Sequence, residues 1–145
     1  MKRVIFLAIF IFIAGCTLKP VLNTDPLYEK ALINTQRGQI INSFETKSLI
    51  DITYLNPLYP NKFKKPTFLV GVYNSLNNSL INSEFNLTIN NKEVNVSSKI
   101  PQFVIYKQFP FYNSWMKYYI ITTNTKKPFK IVFKSKHWGN VNFTF

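Results

Sequence analysis

Beyond Gly38, alternation between apolar and polar residues dominates the sequence, which is the pattern of half-buried β-strands. The alternating set of the first and longest predicted strand, which ends at the turn signal Asn56-Pro57, is Phe44, Thr46, Ser48, Ile50, Ile52 and Tyr54. Phe68, Val70 and Val72 form the inward set of a second strand. Further strands are predicted at residues 103–107, 115–122, 129–134 and 141–145.

The clearest hairpin lies around the two asparagines at positions 90–91. A two-residue turn there would place Leu87 opposite Val94 and Phe85 opposite Val96, all on one face of the paired strands. The apolar residues then face the core together, so the sequence predicts this register.

About seven strands, joined by turn residues within roughly 110 positions, predict an antiparallel immunoglobulin-like β-sandwich. One helix is expected before the strands, over residues 26–36, because Asp25 is a good N-cap and Pro26 suits the first helical position. Gly38 is the expected helix stop. Residues 25–145 are therefore predicted to form a single domain.

The N terminus has a different pattern. Lys2 and Arg3 precede an apolar run over residues 4–14, and Gly15 and Cys16 follow it. A basic start, a short apolar run and a small residue before the cleavage point are typical of a secretory signal. The run is shorter than the roughly 20 residues that a membrane-spanning helix needs.

The tetrapeptide Ile13, Ala14, Gly15 and Cys16 resembles the lipobox of bacterial lipoproteins. That resemblance implies that residues 1–15 are a signal peptide and that Cys16 is the acylated first residue of the mature chain, carrying palmitate-type chains. Residues 16–24 would then be a lipidated tether between membrane and domain. Thr17 stands where some bacteria place an inner-membrane retention aspartate, which favours the outer membrane. Whether the domain faces the periplasm or the outside stays open.

Taken as a whole, the chain is similar to small outer-membrane lipoproteins that carry an immunoglobulin-like sandwich. The likeness extends through the helix-to-strand passage over residues 28–54 and the Tyr-Leu-Asn-Pro-Leu-Tyr-Pro run over residues 54–60. It implies a fold and a location, and no functional residues are carried across.

Composition narrows the possible chemistry and partners. Cys16 is the single cysteine and His137 the single histidine, so no thiol chemistry, metal site or cofactor is expected. Once Lys2 and Arg3 are removed, sixteen basic residues face six acidic ones, a net charge of about +10. This favours anionic partners, although codons rich in A and T would also raise the lysine content. Nucleic acid is not expected for an exported, anchored protein.

Four C-terminal lysines are the candidate site for an anionic glycan or lipopolysaccharide phosphate. They are Lys126, Lys127, Lys130 and Lys134. Lys130 and Lys134 are predicted on the outward face of a strand whose inward residues are Phe129, Ile131 and Phe133.

No catalytic set is recognised, and the chain is not expected to be an enzyme. Glu45 and Asp51 fall on the polar face of the long strand, about 20 Å apart, too far for a glycosidase pair and expected to face solvent. His137 is predicted in a turn between the two last strands, and a hydrolase using it is the least supported alternative.

Two segments match an extended sequon that resembles the acceptor of bacterial periplasmic oligosaccharyltransferases. Glu84 precedes Asn86 and Glu93 precedes Asn95, each asparagine being followed two residues later by threonine or serine. Asn86 and Asn95 are predicted to face each other across the hairpin, pointing outward. The alternative is that an asparagine-rich chain makes sequons by accident.

Aromatic residues crowd one stretch, and not all of them can point inward in an alternating strand. They are Phe109, Phe111, Tyr112, Trp115, Tyr118 and Tyr119. Most are expected to pack in the core and at edges; the functional alternative is a platform for sugar rings or a protein partner.

The leading function hypothesis is a lipid-anchored, non-enzymatic binding or structural module of the cell envelope, adhesin-like or glycan-binding. The alternative is an accessory factor of an envelope machine, such as lipopolysaccharide export or secretion, that docks through an edge strand.

Replacing Cys16 with serine is expected to abolish labelling by a palmitate analogue, because the acylated thiol is lost. The product should be uncleaved or released as a soluble chain, which electrophoresis and fractionation of cells would show. Labelling that survives the substitution would contradict the lipobox interpretation.

Overall fold

The computed structural model describes residues 25–145, which form one α-helix and nine β-strands. Helix α1 is Pro26–Ile33. The strands are β1 (Thr35–Asn42), β2 (Glu45–Tyr54), β3 (Thr67–Asn74), β4 (Phe85–Ile89), β5 (Lys92–Glu93), β6 (Asn95–Ser97), β7 (Lys117–Thr122), β8 (Lys130–Ser135) and β9 (Asn140–Thr144), with a short 3-10 helix at Tyr106–Gln108. The predicted signal peptide and the tether with Cys16 lie outside the described residues.

The strands form two antiparallel sheets packed face to face. Sheet 1 has the order β1-β2-β3-β7-β6, and sheet 2 has the order β5-β4-β8-β9. When β2 is taken as strand A, this is the A-B-E-D and C′-C-F-G arrangement of immunoglobulin domains, with β1 added outside strand A. The predicted immunoglobulin-like sandwich is therefore confirmed, with nine strands in place of about seven.

Aromatic packing fills the space between the sheets. Phe68 of β3 and Phe129, just before β8, meet edge to face with ring centroids 5.3 Å apart. Phe85 and Phe133 stack at 5.4 Å within sheet 2. All four rings are buried, so apolar burial holds together the two central strands that a disulfide joins in antibody domains. The predicted inward sets of β3 and β8 are confirmed.

The predictions for helix α1 and Gly38 were partly wrong. The helix begins at Pro26 with Asp25 as its cap, as predicted, but it ends at Ile33, and Gly38 lies within β1 opposite Ile50. A Cβ atom on Gly38 would come within 2.5 Å of Val141 Cγ2. The glycine is there because β1 passes very close to β9 of the other sheet, a contact that no local pattern reveals.

Phe44 does not belong to the inward face of β2, contrary to the prediction. It stands at the tip of the β1–β2 hairpin, with φ of 64°, and is fully exposed. Thr46 is also exposed, because Lys47 is an extra residue in β2: Ile41 pairs with Thr46, whereas Ile40 pairs with Ser48. Ile50, Ile52 and Tyr54 face the core between the sheets as predicted, but the residues between them are buried as well.

The asparagine turn is confirmed, with φ of 51° at Asn90 and 62° at Asn91. Thr88 pairs with Glu93 in the predicted register. The predicted pair of Phe85 and Val96 was wrong, because the chain crosses to sheet 1 after β5. There β6 pairs with β7, so that Val96 lies opposite Ile121.

The segment over residues 98–116 covers the outer face of sheet 1. A strand was predicted at residues 103–107; this was wrong, since the segment contains only the 3-10 helix. Its buried residues Val104 and Phe109 pack with Leu69 of β3 and Ile120 of β7 in a second apolar cluster. The centre of sheet 1, and β3 above all, is thus buried on both faces. Burial alternates over residues 103–107 because one side of the segment lies on the sheet, although the segment is not a strand.

Replacing Gly38 with alanine is expected to lower the free energy of unfolding by about 1–3 kcal/mol, because the new methyl group overlaps Val141 and Phe143. Urea unfolding would measure it. The control is alanine at the neighbouring exposed Gln39, which should change stability by less than about 0.5 kcal/mol. Equal effects would contradict the close approach of the sheets.

Candidate functional site

The antiparallel topology divides the domain into two ends, or poles. We call one the tether pole: it contains α1 and the loops over residues 55–66, 90–91 and 123–129. Backbone hydrogen bonds connect these segments: Tyr54 N donates to Asn34 O at 2.9 Å, and Thr123 N donates to Pro66 O at 3.2 Å. The described chain begins at this end, so any N-terminal tether reaches the domain here.

We call the opposite end the distal pole; it contains the turn over residues 43–44 and the loops over residues 75–84 and 136–139. Hydrogen bonds connect these loops. Ser75 N donates to Lys47 O at 3.0 Å, and Lys136 N donates to Glu84 O at 2.9 Å. The distal pole is therefore a joined surface rather than a set of separate loops.

Large apolar side chains are exposed on the distal pole. They are Phe44, Leu76, Ile81 and Trp115. Trp115 is 49% exposed, its carbonyl accepts a bond from Asn78 Nδ2, and its ring stands edge to face against Tyr73 at 5.3 Å. The two rings border a groove of about 470 Å³ with Gln39, Thr46 and Leu49.

Phe44 combines full exposure with an unfavourable backbone. Its φ of 64° lies in the left-handed region, which a bulky residue rarely adopts and where strain costs of order 1–3 kcal/mol. Ser43 before it is also left-handed, with φ of 50°. Because the side chain is fully exposed, no burial in the free domain offsets this strain. Phe44 is therefore the strongest candidate for a binding residue at this pole.

The sequence did not predict a functional role for Leu76 or Ile81, and it placed Phe44 on an inward strand face. The sequence does contain a signal for Leu76 and Ile81, because both lie in the asparagine- and serine-rich stretch over residues 74–83, whose composition predicts a loop. Apolar residues in a polar loop are either buried or offered to a partner, and only the structure distinguishes the two cases.

Ser135, His137 and Glu84 come together, but their bonding is not that of a catalytic triad. The Ser135 hydroxyl donates to Glu84 Oε1 and accepts the backbone N–H groups of His137 and Trp138. His137 Nδ1 lies 2.6 Å from Glu84 Oε2. The Ser135 hydrogen bond lowers the pKa of Glu84, assisted by those from His137. The group closes the loop that was predicted to hold His137.

Asp51 does not face solvent, contrary to the prediction. It is 5% exposed and accepts two bonds from Arg37, with Nε at 2.6 Å from Oδ1 and Nη2 at 2.8 Å from Oδ2. Burial raises the pKa of Asp51 although Arg37 opposes this, and the bond to Asp51 raises the pKa of Arg37. Glu45 is exposed as predicted and pairs with Lys47 at 2.5 Å.

Most of the crowded aromatic stretch packs over sheet 1, as expected. Tyr112 stacks on Tyr118 at 5.4 Å, and burial raises the pKa of Tyr118 to about 12. Phe109 is buried, and the exposed Phe111 lies under Arg37 at 4.5 Å from its ring centre. Two aromatic residues of this stretch reach the distal pole: the exposed Trp115, and Tyr119, whose hydroxyl donates to Asn78 O at 3.2 Å.

The four candidate lysines are exposed but do not form one site. Lys126 and Lys127 lie in the loop at the tether pole, where Asn90 Nδ2 donates to Lys126 O at 3.2 Å. Lys130 begins β8 at the same end, opposite Thr144. Lys134 shares the predicted outward face of β8 with Lys130, but lies about 13 Å further along the strand, towards the distal pole.

The sequon asparagines Asn86 and Asn95 are both exposed, but they do not face each other. Asn86 lies opposite Lys134 in sheet 2, and Asn95 lies opposite Thr122 in sheet 1. The prediction of their facing was wrong because the chain changes sheets between them.

Among residues 25–145, no helix is long and apolar enough to cross a membrane, and no three His, Cys, Asp or Glu side chains cluster as metal ligands would. The chain matches no protein-family model, no curated protein sequence and no solved structure.

Replacing Arg37 with methionine is expected to lower the free energy of unfolding at pH 7 by about 2–3 kcal/mol, because a buried carboxylate loses its partner. This is less than the roughly 3–5 kcal/mol typical of a fully buried pair, because the Arg37 side chain is 35% exposed. Without Arg37, the pKa of Asp51 in the folded state should rise further above its unfolded value. The variant should therefore regain stability as the pH falls through that folded-state pKa, because the buried carboxyl group becomes protonated.

Urea unfolding between pH 5 and pH 8 would test this. Lys134→Met, at an exposed lysine, is the matched control and should show neither the loss nor the added pH dependence. A methionine variant as stable as the parent at pH 8 would contradict the structural role of the pair.

Proposed function

We propose that this protein is a lipid-anchored, non-enzymatic binding module of the bacterial cell envelope that meets its partner at the distal pole. Acyl chains on Cys16 would hold it in the outer membrane. The tether enters the domain at one end, and Phe44, Leu76, Ile81 and Trp115 are exposed at the other. This arrangement supports presentation of the distal pole away from the anchoring membrane.

The observation that carries the proposal is Phe44. A phenylalanine at a left-handed hairpin tip gains nothing in the free domain, whereas burial against a partner would repay the strain. Further exposed apolar area at this pole comes from Leu76, Ile81 and Trp115. The asparagine and serine residues of the same loop supply a polar rim.

A protein partner fits this surface best, because apolar side chains from several loops resemble the anchor residues of protein interfaces. This is the adhesin-like form of the function. A glycan would use the groove between Trp115 and Tyr73, where flat rings suit the apolar face of a sugar.

The proposal of no catalysis is supported by how the polar groups are used. The Ser135 side chain is buried, its hydroxyl donates to Glu84, and its oxygen accepts two backbone N–H groups, so it is not accessible as a nucleophile. Both carboxylate oxygens of Asp51 accept hydrogen bonds from Arg37, through Nε and Nη2, so this carboxylate serves an ion pair.

One observation favours the alternative of an accessory factor. Strand β5 pairs only with Thr88 and Ile89, so the first half of β4 lies at the edge of sheet 2. A groove of about 350 Å³ lined by Ile81, Leu87 and Val94 runs beside it. An extended segment of an envelope machine could add to this edge by strand pairing.

A photo-crosslinking amino acid at Phe44 should capture a specific partner in intact cells, because this side chain is expected at the interface. The same partner should be captured from Leu76 and Trp115. The matched control is Asn142, which is exposed on β9 away from the pole and should capture none of it. Capture from Asn142 and not from the distal positions would contradict the proposal.

The substitution Phe44→Gly separates binding from folding. Glycine adopts the left-handed backbone freely, so the free energy of unfolding should not fall and should rise by up to about 1 kcal/mol. Crosslinking of the partner from Trp115 should nevertheless decrease, since the apolar anchor is lost. A stable variant with unchanged crosslinking would show that Phe44 does not bind.

A further inference from the structure

Exposed lysines are concentrated on the loops of the tether pole. Three lie in the loop over residues 55–66, two lie in the loop over residues 123–129, and Lys130 follows; in order they are Lys62, Lys64, Lys65, Lys126, Lys127 and Lys130. The hydrogen bond from Thr123 N to Pro66 O joins the two loops. The remaining charges around this surface cancel, with Lys30, Lys92 and Lys107 against Asp25, Glu29 and Glu93.

Exposed apolar side chains, Phe103 and Ile105, lie beside these lysines. Phe103 contacts Tyr59 and Phe63 with ring centroids 5.6 and 5.5 Å apart, and Ile105 N donates to Tyr59 OH at 3.2 Å. Phe103 is 42% exposed and Ile105 is 47% exposed. The inner side of the group packs on the buried residues Leu58 and Val104, so the rings are supported from below.

A surface that combines lysines with supported, outward apolar side chains matches the chemistry of a membrane interface. Ammonium groups bind lipid phosphates, and aromatic or aliphatic tips enter the headgroup region. Neither a purely apolar interface nor a solvated charged face would show both features together.

The position of the tether indicates which membrane would be contacted. Nine positions separate Cys16 from Asp25, and a fully extended chain of that length reaches at most about 32 Å. Leu27 of α1 packs against the same apolar cluster as Tyr59 and Phe63. If Cys16 is anchored, this pole lies within reach of the lipid surface that holds it.

We propose that the tether pole is a second, non-covalent membrane-contact surface specific for anionic phospholipid headgroups. This inference rests on the proposed lipid anchor at Cys16. Its lysines bind headgroup phosphates, while Phe103 and Ile105 enter the headgroup layer. The acyl chains retain the protein, and this surface orients it so that the distal pole points away from the membrane.

The test uses the unlipidated mature chain, residues 16–145 with Cys16→Ser, and two kinds of vesicle. One contains phosphatidylcholine alone and the other contains phosphatidylcholine with phosphatidylglycerol. Cosedimentation should show binding at least about tenfold tighter to the anionic vesicles, weakening steeply as salt rises. Equal binding to both vesicles, or binding to neither, would overturn the proposal.

Matched charge reversals distinguish a site from overall charge. Lys64→Glu with Lys65→Glu should weaken binding to anionic vesicles by about tenfold or more. Lys134→Glu with Lys136→Glu changes the charge by the same amount nearer the distal pole and should weaken binding by less than about threefold. Equal loss from both pairs would mean that net charge alone attracts the protein, and would overturn the assignment.

Phe103→Ser with Ile105→Ser tests the apolar part at constant charge. Both side chains are exposed, so the thermal unfolding midpoint should change little, whereas vesicle binding should fall several-fold. Unchanged binding by this folded variant would overturn the insertion of these residues. Stronger retention on heparin than on anionic vesicles would overturn the phospholipid assignment in favour of a glycan.

The readouts separate this inference from the proposed anchor. Vesicle binding by the unlipidated chain does not depend on acylation, and palmitate labelling of the parent does not depend on the lysines. If the parent is labelled but its unlipidated form does not bind vesicles, the proposed anchor stands and the proposed contact surface is wrong. If the parent is not labelled but the unlipidated form binds anionic vesicles, the anchor is wrong and the contact surface stands.

Discussion

Burial of sheet 1 on both faces is the constraint on which the rest of the structure depends. Strand β3 lies at the centre of this sheet and presents Phe68 to the core and Leu69 to the outer cluster. The segment over residues 98–116 must therefore lie flat against the sheet. At Gly71 an added Cβ would come within 2.6 Å of the Tyr118 ring, so the absence of a side chain there makes room for that ring, on which Tyr112 of the covering segment stacks. Arg37 and Asp51 meet at the margin of this cover, where Arg37 also bonds to Phe111 O.

The same covering segment extends between the two ends of the molecule. Because its chain runs from the ring cluster around Phe103 to the exposed Trp115, it connects the tether pole with the distal pole along one face. The proposed membrane contact and the proposed partner site therefore share one rigid, packed element. Orientation of one pole by lipid would set the direction of the other without any conformational change.

Strand alternation predicted much of the sandwich, because only one face of sheet 2 packs against the core. Phe129, Ile131 and Phe133 lie where a period of two places them. Alternation also placed a strand at residues 103–107, and the helix-capping preference of glycine took Gly38 for a helix stop. Both errors concern contacts between segments distant in sequence. The candidate site was predictable only in part: Trp115 belonged to a noticed aromatic group, whereas Phe44 was assigned to an inward face.

The sequence by itself determined the strand-rich class, the asparagine turn over residues 90–91 and the inward residues of β3 and β8, because these follow from local backbone preference and from the alternation of half-buried strands. Only the tertiary structure decided that Asp51 is buried, that β6 leaves the hairpin for the other sheet, and that lysines from two separate loops share one pole. These outcomes depend on which surfaces meet when both faces of sheet 1 are covered, and no short stretch of sequence contains that information.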